Sequence, residues 1–82
     1  MDTRIALIGI VLNSTESVED LNHLLSQYSS YIIGRMGIPY REKNLSVISI
    51  AMDAPADAIS ALSGKLGMLP GVSTKTIYAK PK

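Results

Sequence analysis

Two stretches of this sequence are apolar on both faces when drawn as strands, and they limit the possible folds more than any other feature. In "RIALIGIVL", residues 4–12, Ile5, Leu7 and Val11 alternate with Ala6, Ile8, Ile10 and Leu12. From Leu45 to Met52, Leu45, Val47 and Ala51 alternate with Ile48, Ile50 and Met52. A strand of this kind belongs inside a sheet, with something covering each side. The first run is too short to cross a bilayer and lacks the basic start and small-residue cleavage site of a signal peptide. It reads as core, with no membrane association expected.

The remaining segments fall into a regular order. "TESVEDLNHLLSQY" places Val18, Leu21, Leu25 and Tyr28 at helical spacing, with Leu24 beside them. Ser14 or Thr15 can cap this helix, and Glu16, Glu19 and Asp20 suit the positive end of its dipole. Tyr31–Tyr40 is strand-like and is joined to the Leu45 strand by "REKN", a short polar connection suited to a hairpin. "APADAISALSGKLG" reads as a second helix, with Pro55 at its first position, Ile59, Leu62 and Leu66 as its apolar stripe and Gly67 at its C-terminal cap. In "LPGV", Pro70 presets φ and Gly71 accepts the positive φ of a type II turn. "VSTKTIYAK" alternates as a last strand.

The order β-α-β-β-α-β predicts an α+β, ferredoxin-like sandwich over residues 1–82 as one domain: a four-stranded antiparallel sheet with two helices on one face. The first and third strands would be central. Two helices on one face leave the other face of both apolar strands uncovered, and such patches mark protein interfaces. A chain of 82 residues also has a thin core, and with no cysteine it cannot be stapled by disulfides. The expected partner is therefore the chain itself, as a homodimer or tetramer joined through sheet faces or edges. The absence of cysteine fits a cytoplasmic address.

Several chemistries are disfavoured by the residues. A net charge of +1 is not that of a domain built to bind a phosphate backbone, so no direct nucleic-acid contact is expected. RNA-recognition domains share this element order, but they stack bases on aromatic residues of the central strands, where this chain has aliphatics and serines. The only histidine, His23, lies opposite the apolar stripe of the first helix, near Glu19, and reads as an exposed surface residue. With one histidine and no cysteine, neither a metal site nor a cofactor is expected. "SGKLG" lacks the first glycine and the Ser or Thr of a phosphate loop, and it sits late in a helix. Gly34 and Gly37 do not have dinucleotide-fingerprint spacing.

What remains is "YIIGRMGIPYREK", residues 31–43, a strand pattern carrying two glycines, an arginine and a proline. Strict alternation puts Ile32, Gly34, Met36, Ile38 and Tyr40 on the core face. Tyr31, Ile33, Arg35, Gly37 and Pro39 then face the side without helices. Pro39 fits an edge strand, and strand glycines mark a bulge or the close approach of a ligand or backbone. Gly34, Arg35, Met36, Gly37, Tyr40 and Arg41 are accordingly the candidate interface or ligand residues. Arg35 is expected near a subunit boundary, either in an ion pair across it or, like Arg41, holding a small anionic effector.

The segments "RIALIGIVL", "SVEDLN", "YIIGRMGIPYRE", "DAP" and "ISALSGKLGMLPGVSTKTIY" closely resemble the iron-only hydrogenase system regulator family. The resemblance runs from Arg4 to about Lys80, and Gly34–Glu42 is its most distinctive part. It implies an ACT-like ferredoxin fold, similar to the C-terminal domain of nickel-responsive regulators. It also implies a non-enzymatic, oligomeric regulatory or ligand-sensing module that acts through a small effector or a regulatory protein. The nickel-responsive proteins hold their metal with several histidines and a cysteine, which this sequence does not supply, and no DNA-binding segment is expected beside the domain. The alternative is a ferredoxin-fold hydrolase of acylphosphatase type, for which Arg4, Asn13 and Arg35 offer residue types but no glycine-rich loop follows the first strand.

Overall fold

The structure, a computed structural model, describes residues 2–80; Met1, Pro81 and Lys82 of the expected 1–82 domain lie outside the described residues. The elements are β1 (Arg4–Leu12), α1 (Val18–Gln27), β2 (Ile32–Tyr40), β3 (Leu45–Ala54), α2 (Ala56–Gly67) and β4 (Val72–Tyr78). The strands form one antiparallel sheet in the order β2-β3-β1-β4, so the two doubly apolar strands are central, as their composition demands. This is the α+β ferredoxin-like arrangement. In the central pair Ile8 stands opposite Ile50, Leu7 opposite Ala51 and Ile10 opposite Ile48.

One side of this pair forms the core. Ala6, Ile8 and Ile10 of β1 and Ile48, Ile50, Met52 and Ala54 of β3 are buried beneath Leu21 and Leu25 of α1 and Ile59, Leu62 and Leu66 of α2. The helices hold their places because these apolar positions recur at three- and four-residue spacing on one side of each. Lys65 Nζ links the helices by donating to the Tyr28 hydroxyl at 3.2 Å. Ser63 on α2 accepts a hydrogen bond from Thr76 on β4 at 2.9 Å.

The helix starts differ from the sequence expectation. α1 begins at Val18 behind Ser17, not at Ser14 or Thr15, and the Ser17 hydroxyl does not cap it. Ser17 is buried and donates instead to the Pro70 carbonyl at 2.7 Å, tying the start of α1 to the α2–β4 turn. Capping would use the same oxygen as an acceptor, and in the orientation that donates to Pro70 it accepts no helix amide. Pro55 stands one residue before α2, and its carbonyl accepts the Ala58 and Ile59 amides. Gly67 is the last helical residue rather than the cap, which is Met68. A Cβ on Gly67 would meet Thr74 Oγ1 at 3.3 Å, so its bareness admits β4.

The turn at Pro70–Gly71 forms as its sequence requires. Val72 N–H donates to the Leu69 carbonyl at 3.2 Å, and Gly71 takes φ +74°. The Gly71 carbonyl accepts Asn13 N–H at 2.8 Å, and a Cβ on Gly71 would lie 2.9 Å from Ser14 Oγ. The β1–α1 loop therefore rests directly on this turn. "REKN" closes the β2–β3 hairpin through a short 3-10 turn at Arg41–Lys43, with Asn44 left-handed at φ 55°.

Candidate functional site

The quoted strand does not follow strict alternation. Ile32 stands opposite Met52, but Gly34 stands opposite Ala51, so Ile33 is an extra residue and the strand is bulged there. A single extra residue moves every following side chain to the other face. Ile32 keeps its expected place against the core. Beyond the bulge the order inverts. Met36 pairs with Ser49, Ile38 with Val47 and Tyr40 with Leu45, all on the face without helices. Arg35 pairs with Ile50, Gly37 with Ile48 and Pro39 with Ser46, on the helix face.

The expectation that Arg35 faces the open side is thereby corrected, as is the expectation that Met36, Ile38 and Tyr40 face the core. Arg35 leans over the edge of the sheet toward α1, where Nη2 donates to Asn22 Oδ1 at a long 3.5 Å. At this length the bond is weak. Sequence alternation could not show this because it counts residues, and the bulge breaks the count.

The inversion changes the composition of the open face. Met36 and Ile38 join Ile5, Leu7, Val47 and Ile77, each at least two-fifths exposed; Ile77 reaches 67% and Met36 61%. The face thus presents exposed apolar side chains on all four strands. It is dimpled where side chains are small. One hollow of about 220 Å³ is lined by Leu7, Gly34, Arg35, Met36, Ser49 and Ala51. A second, of about 320 Å³, lies around Gly9, Val11, Val47, Ser49, Ser73 and Lys75. Among the described residues nothing beyond its two chain neighbours comes within 4 Å of a Cβ built on Gly34, and its φ is not positive. Neither sterics nor backbone conformation within the subunit requires glycine there.

Tyr40 ends the open-face row of β2, and with Arg41 it also reaches a different hollow. The two residues line a cleft of about 230 Å³ at the end of the sheet, between the β1–α1 loop and the β2–β3 turn. Leu12, Val18, Pro39 and Leu45 form its apolar part; Ser14, Thr15, Asn44 and Ser46 add hydroxyl and amide groups. The Tyr40 hydroxyl donates to Glu42 Oε2 at 3.0 Å, leaving Arg41 as the charged group of the lining. The six candidates therefore separate into an open-face set, Gly34 and Met36; a cleft set, Tyr40 and Arg41; and the helix-side pair Arg35 and Gly37, of which Arg35 also borders the open-face hollow. The polar residues of the cleft were missed in the sequence because they come from two segments far apart in the chain, Ser14–Thr15 and Asn44–Ser46.

The residues considered for hydrolysis are not brought together. Arg4 begins β1 and Asn13 follows its end, nine residues apart in sequence, or about 30 Å at strand rise. The Arg4 guanidinium sits 4.3 Å from the centre of the Tyr78 ring. His23 is exposed on α1, and its partner is Gln27, 3.3 Å away, rather than Glu19. Among the described residues no three His, Cys, Asp or Glu side chains cluster to hold a metal ion. No helix among them is long and apolar enough to cross a membrane.

Comparison with known proteins fits this geometry. Residues 4–76 match the TM1266-like family, whose description is "Iron-only hydrogenase system regulator, putative". The chain belongs to this family. A solved TM1266-like structure, the uncharacterized protein TM1266 from Thermotoga maritima, shares 36% identity with a TM-score of 0.93. The alignment covers 96% of this chain and 100% of that one. The C-terminal domain of the MgtC protein from Mycobacterium tuberculosis is similar in fold, with a TM-score of 0.73 at 10% identity, covering 94% of this chain and 88% of its own. A formyltetrahydrofolate deformylase from Pseudomonas putida KT2440 aligns at TM-score 0.65 and 13% identity, covering 93% of this chain but 29% of the deformylase. At such identities these two similarities concern fold alone. No curated protein matches the sequence.

Proposed function

We propose that this TM1266-like chain is a non-enzymatic regulatory module of the iron-only hydrogenase system, working in the cytoplasm as a homo-oligomer. Its subunits meet across the open sheet face, and a small anionic effector in the cleft beside Arg41 sets its state. The observation that carries this reading is the open face itself. Exposed apolar side chains on all four strands form a surface of the kind that marks protein contacts. A glycine that the subunit does not need at position 34 suits the close approach of a neighbour. The cleft supplies one cation, several hydrogen-bonding groups and an apolar wall, which suits a small anion with an apolar body.

Two measurements test this. Sedimentation equilibrium at micromolar concentration is expected to show an oligomer, and Leu7→Lys is expected to reduce it to monomer. A wild-type monomer counts against the reading. Thermal-shift screening against nucleotides, amino acids and metal ions is expected to find an anion that stabilises wild type but not Arg41→Ala. A ligand that stabilises both equally places the effector elsewhere.

A further inference from the structure

The open face carries charge at only two of its paired strand positions, and the two charges have opposite sign. On β1 the open-face residues are Ile5, Leu7, Gly9 and Val11; on β2 they are Gly34, Met36, Ile38 and Tyr40. On β3, Asp53 follows Val47, Ser49 and Ala51 at the end of the row, and on β4, Lys75 stands between Ser73 and Ile77. Asp53 pairs with Ile5 and Lys75 with Gly9, so they lie one strand to either side of β1 and four residues apart along it. At sheet spacings they are about 16 Å apart, too far to pair within one chain. Leu7 falls midway between them.

That placement is self-complementary. A two-fold axis lying between two facing sheets, passing over Leu7 and perpendicular to the Asp53–Lys75 line, sets Asp53 of each copy over Lys75 of the other. The strands of the two sheets then cross at roughly 70°, nearer the orthogonal than the aligned class of sheet packing. A register that seats Asp53 or Lys75 on apolar surface leaves its charge desolvated and unmatched. We infer that the open face docks a second copy of this chain in this register, with Leu7 on the axis and two reciprocal Asp53–Lys75 pairs beside it. The inference rests on the proposed assembly through the open face and adds its geometry. Pairs of this kind fix orientation more than they add affinity.

Charge reversal tests the register separately from the assembly. Asp53→Lys sets lysine against lysine in a homodimer, and Lys75→Asp sets aspartate against aspartate. Each alone is expected to weaken dimerisation by about tenfold or more. Mixed in equal amounts, the two variants form a heterodimer in which both pairs are opposite in sign, and affinity is expected to return to within about threefold of wild type. Native mass spectrometry distinguishes the heterodimer by mass, and circular dichroism checks that each variant is folded. If either single reversal dimerises as wild type does, or if the mixture does not recover, the register is overturned while the open-face dimer stands. If wild type is monomeric, or Leu7→Lys leaves the assembly intact, the underlying reading fails and the register with it.

Discussion

On the helix side of the sheet Ile8, Ile50 and Met52 are wholly buried, whereas on the other side their strand neighbours Leu7 and Val47 remain 42% and 41% exposed. Both sets come from one alternating pattern in the same two strands, with similar side chains. What differs is the cover: two short amphipathic helices shield one face only. An apolar strand position thus has two energetic meanings in this molecule, folding on one face and association on the other. The largest prediction separates them. Ile50→Ala is expected to lower the unfolding free energy by about 2–5 kcal/mol at every protein concentration. Leu7→Ala is expected to cost the dilute chain less than about 1 kcal/mol, and to remove the rise in Tm that accompanies increasing concentration. Urea and thermal unfolding at low and high concentration would show it; equal, concentration-independent losses would erase the distinction between faces.

Two glycines sharpen the same contrast. Gly71 serves the fold, since φ is +74° and any Cβ would press on Ser14 Oγ. Gly71→Ala is expected to cost about 1–3 kcal/mol and to loosen the β1–α1 loop that rests on the turn. Gly34 faces open space on the apolar side. Gly34→Ala is expected to stabilise the dilute chain by about 0.5 kcal/mol, because alanine loses less freedom on folding, while weakening assembly. Unfolding free energy and sedimentation, measured on both variants, are expected to move in opposite directions for Gly34 alone. A destabilised Gly34→Ala monomer would mean that the glycine serves the subunit after all.

The β1–α1 loop gives a smaller test. Ser17→Ala removes the hydroxyl donated to the Pro70 carbonyl and is expected to cost about 1 kcal/mol. Because this hydroxyl does not cap α1, Ser17→Asn should not recover the loss as a good capping residue would. Recovery by asparagine, read from chemical unfolding, would assign the residue to the helix end.

The element order, the central place of β1 and β3 and the bare apolar face were legible because each follows from hydrophobic periodicity, which local sequence records directly. The turn at Pro70–Gly71 was legible for a similar reason: its two residues restrict φ on their own. The orientation of β2 was not legible. Whether Ile33 is skipped in the pairing depends on how β2 meets β3, a contact between chain segments that no count along one segment contains. Ser17 escaped for the same reason, since its partner at Pro70 is 53 residues away. The cleft beside Arg41 is also assembled from separate segments, so only Tyr40 and Arg41 were named from sequence.

The smallest expected effect bears most directly on that bulge. Arg35 and Met36 are adjacent, yet one borders α1 and the other lies on the open face. Arg35→Ala removes an exposed guanidinium and a 3.5 Å hydrogen bond to Asn22. Its expected cost is below about 0.5 kcal/mol, with assembly unchanged. Met36→Lys puts a charge into the apolar face and is expected to weaken assembly with little effect on the dilute chain. Strict alternation requires the reverse: Met36→Lys would damage the core, and Arg35→Ala would alter association. Measuring unfolding and sedimentation on this pair therefore decides on which side of the sheet each residue stands. If Arg35→Ala dissociates the assembly while Met36→Lys unfolds the chain, the bulge at Ile33 is absent and the open face loses Met36 and Ile38.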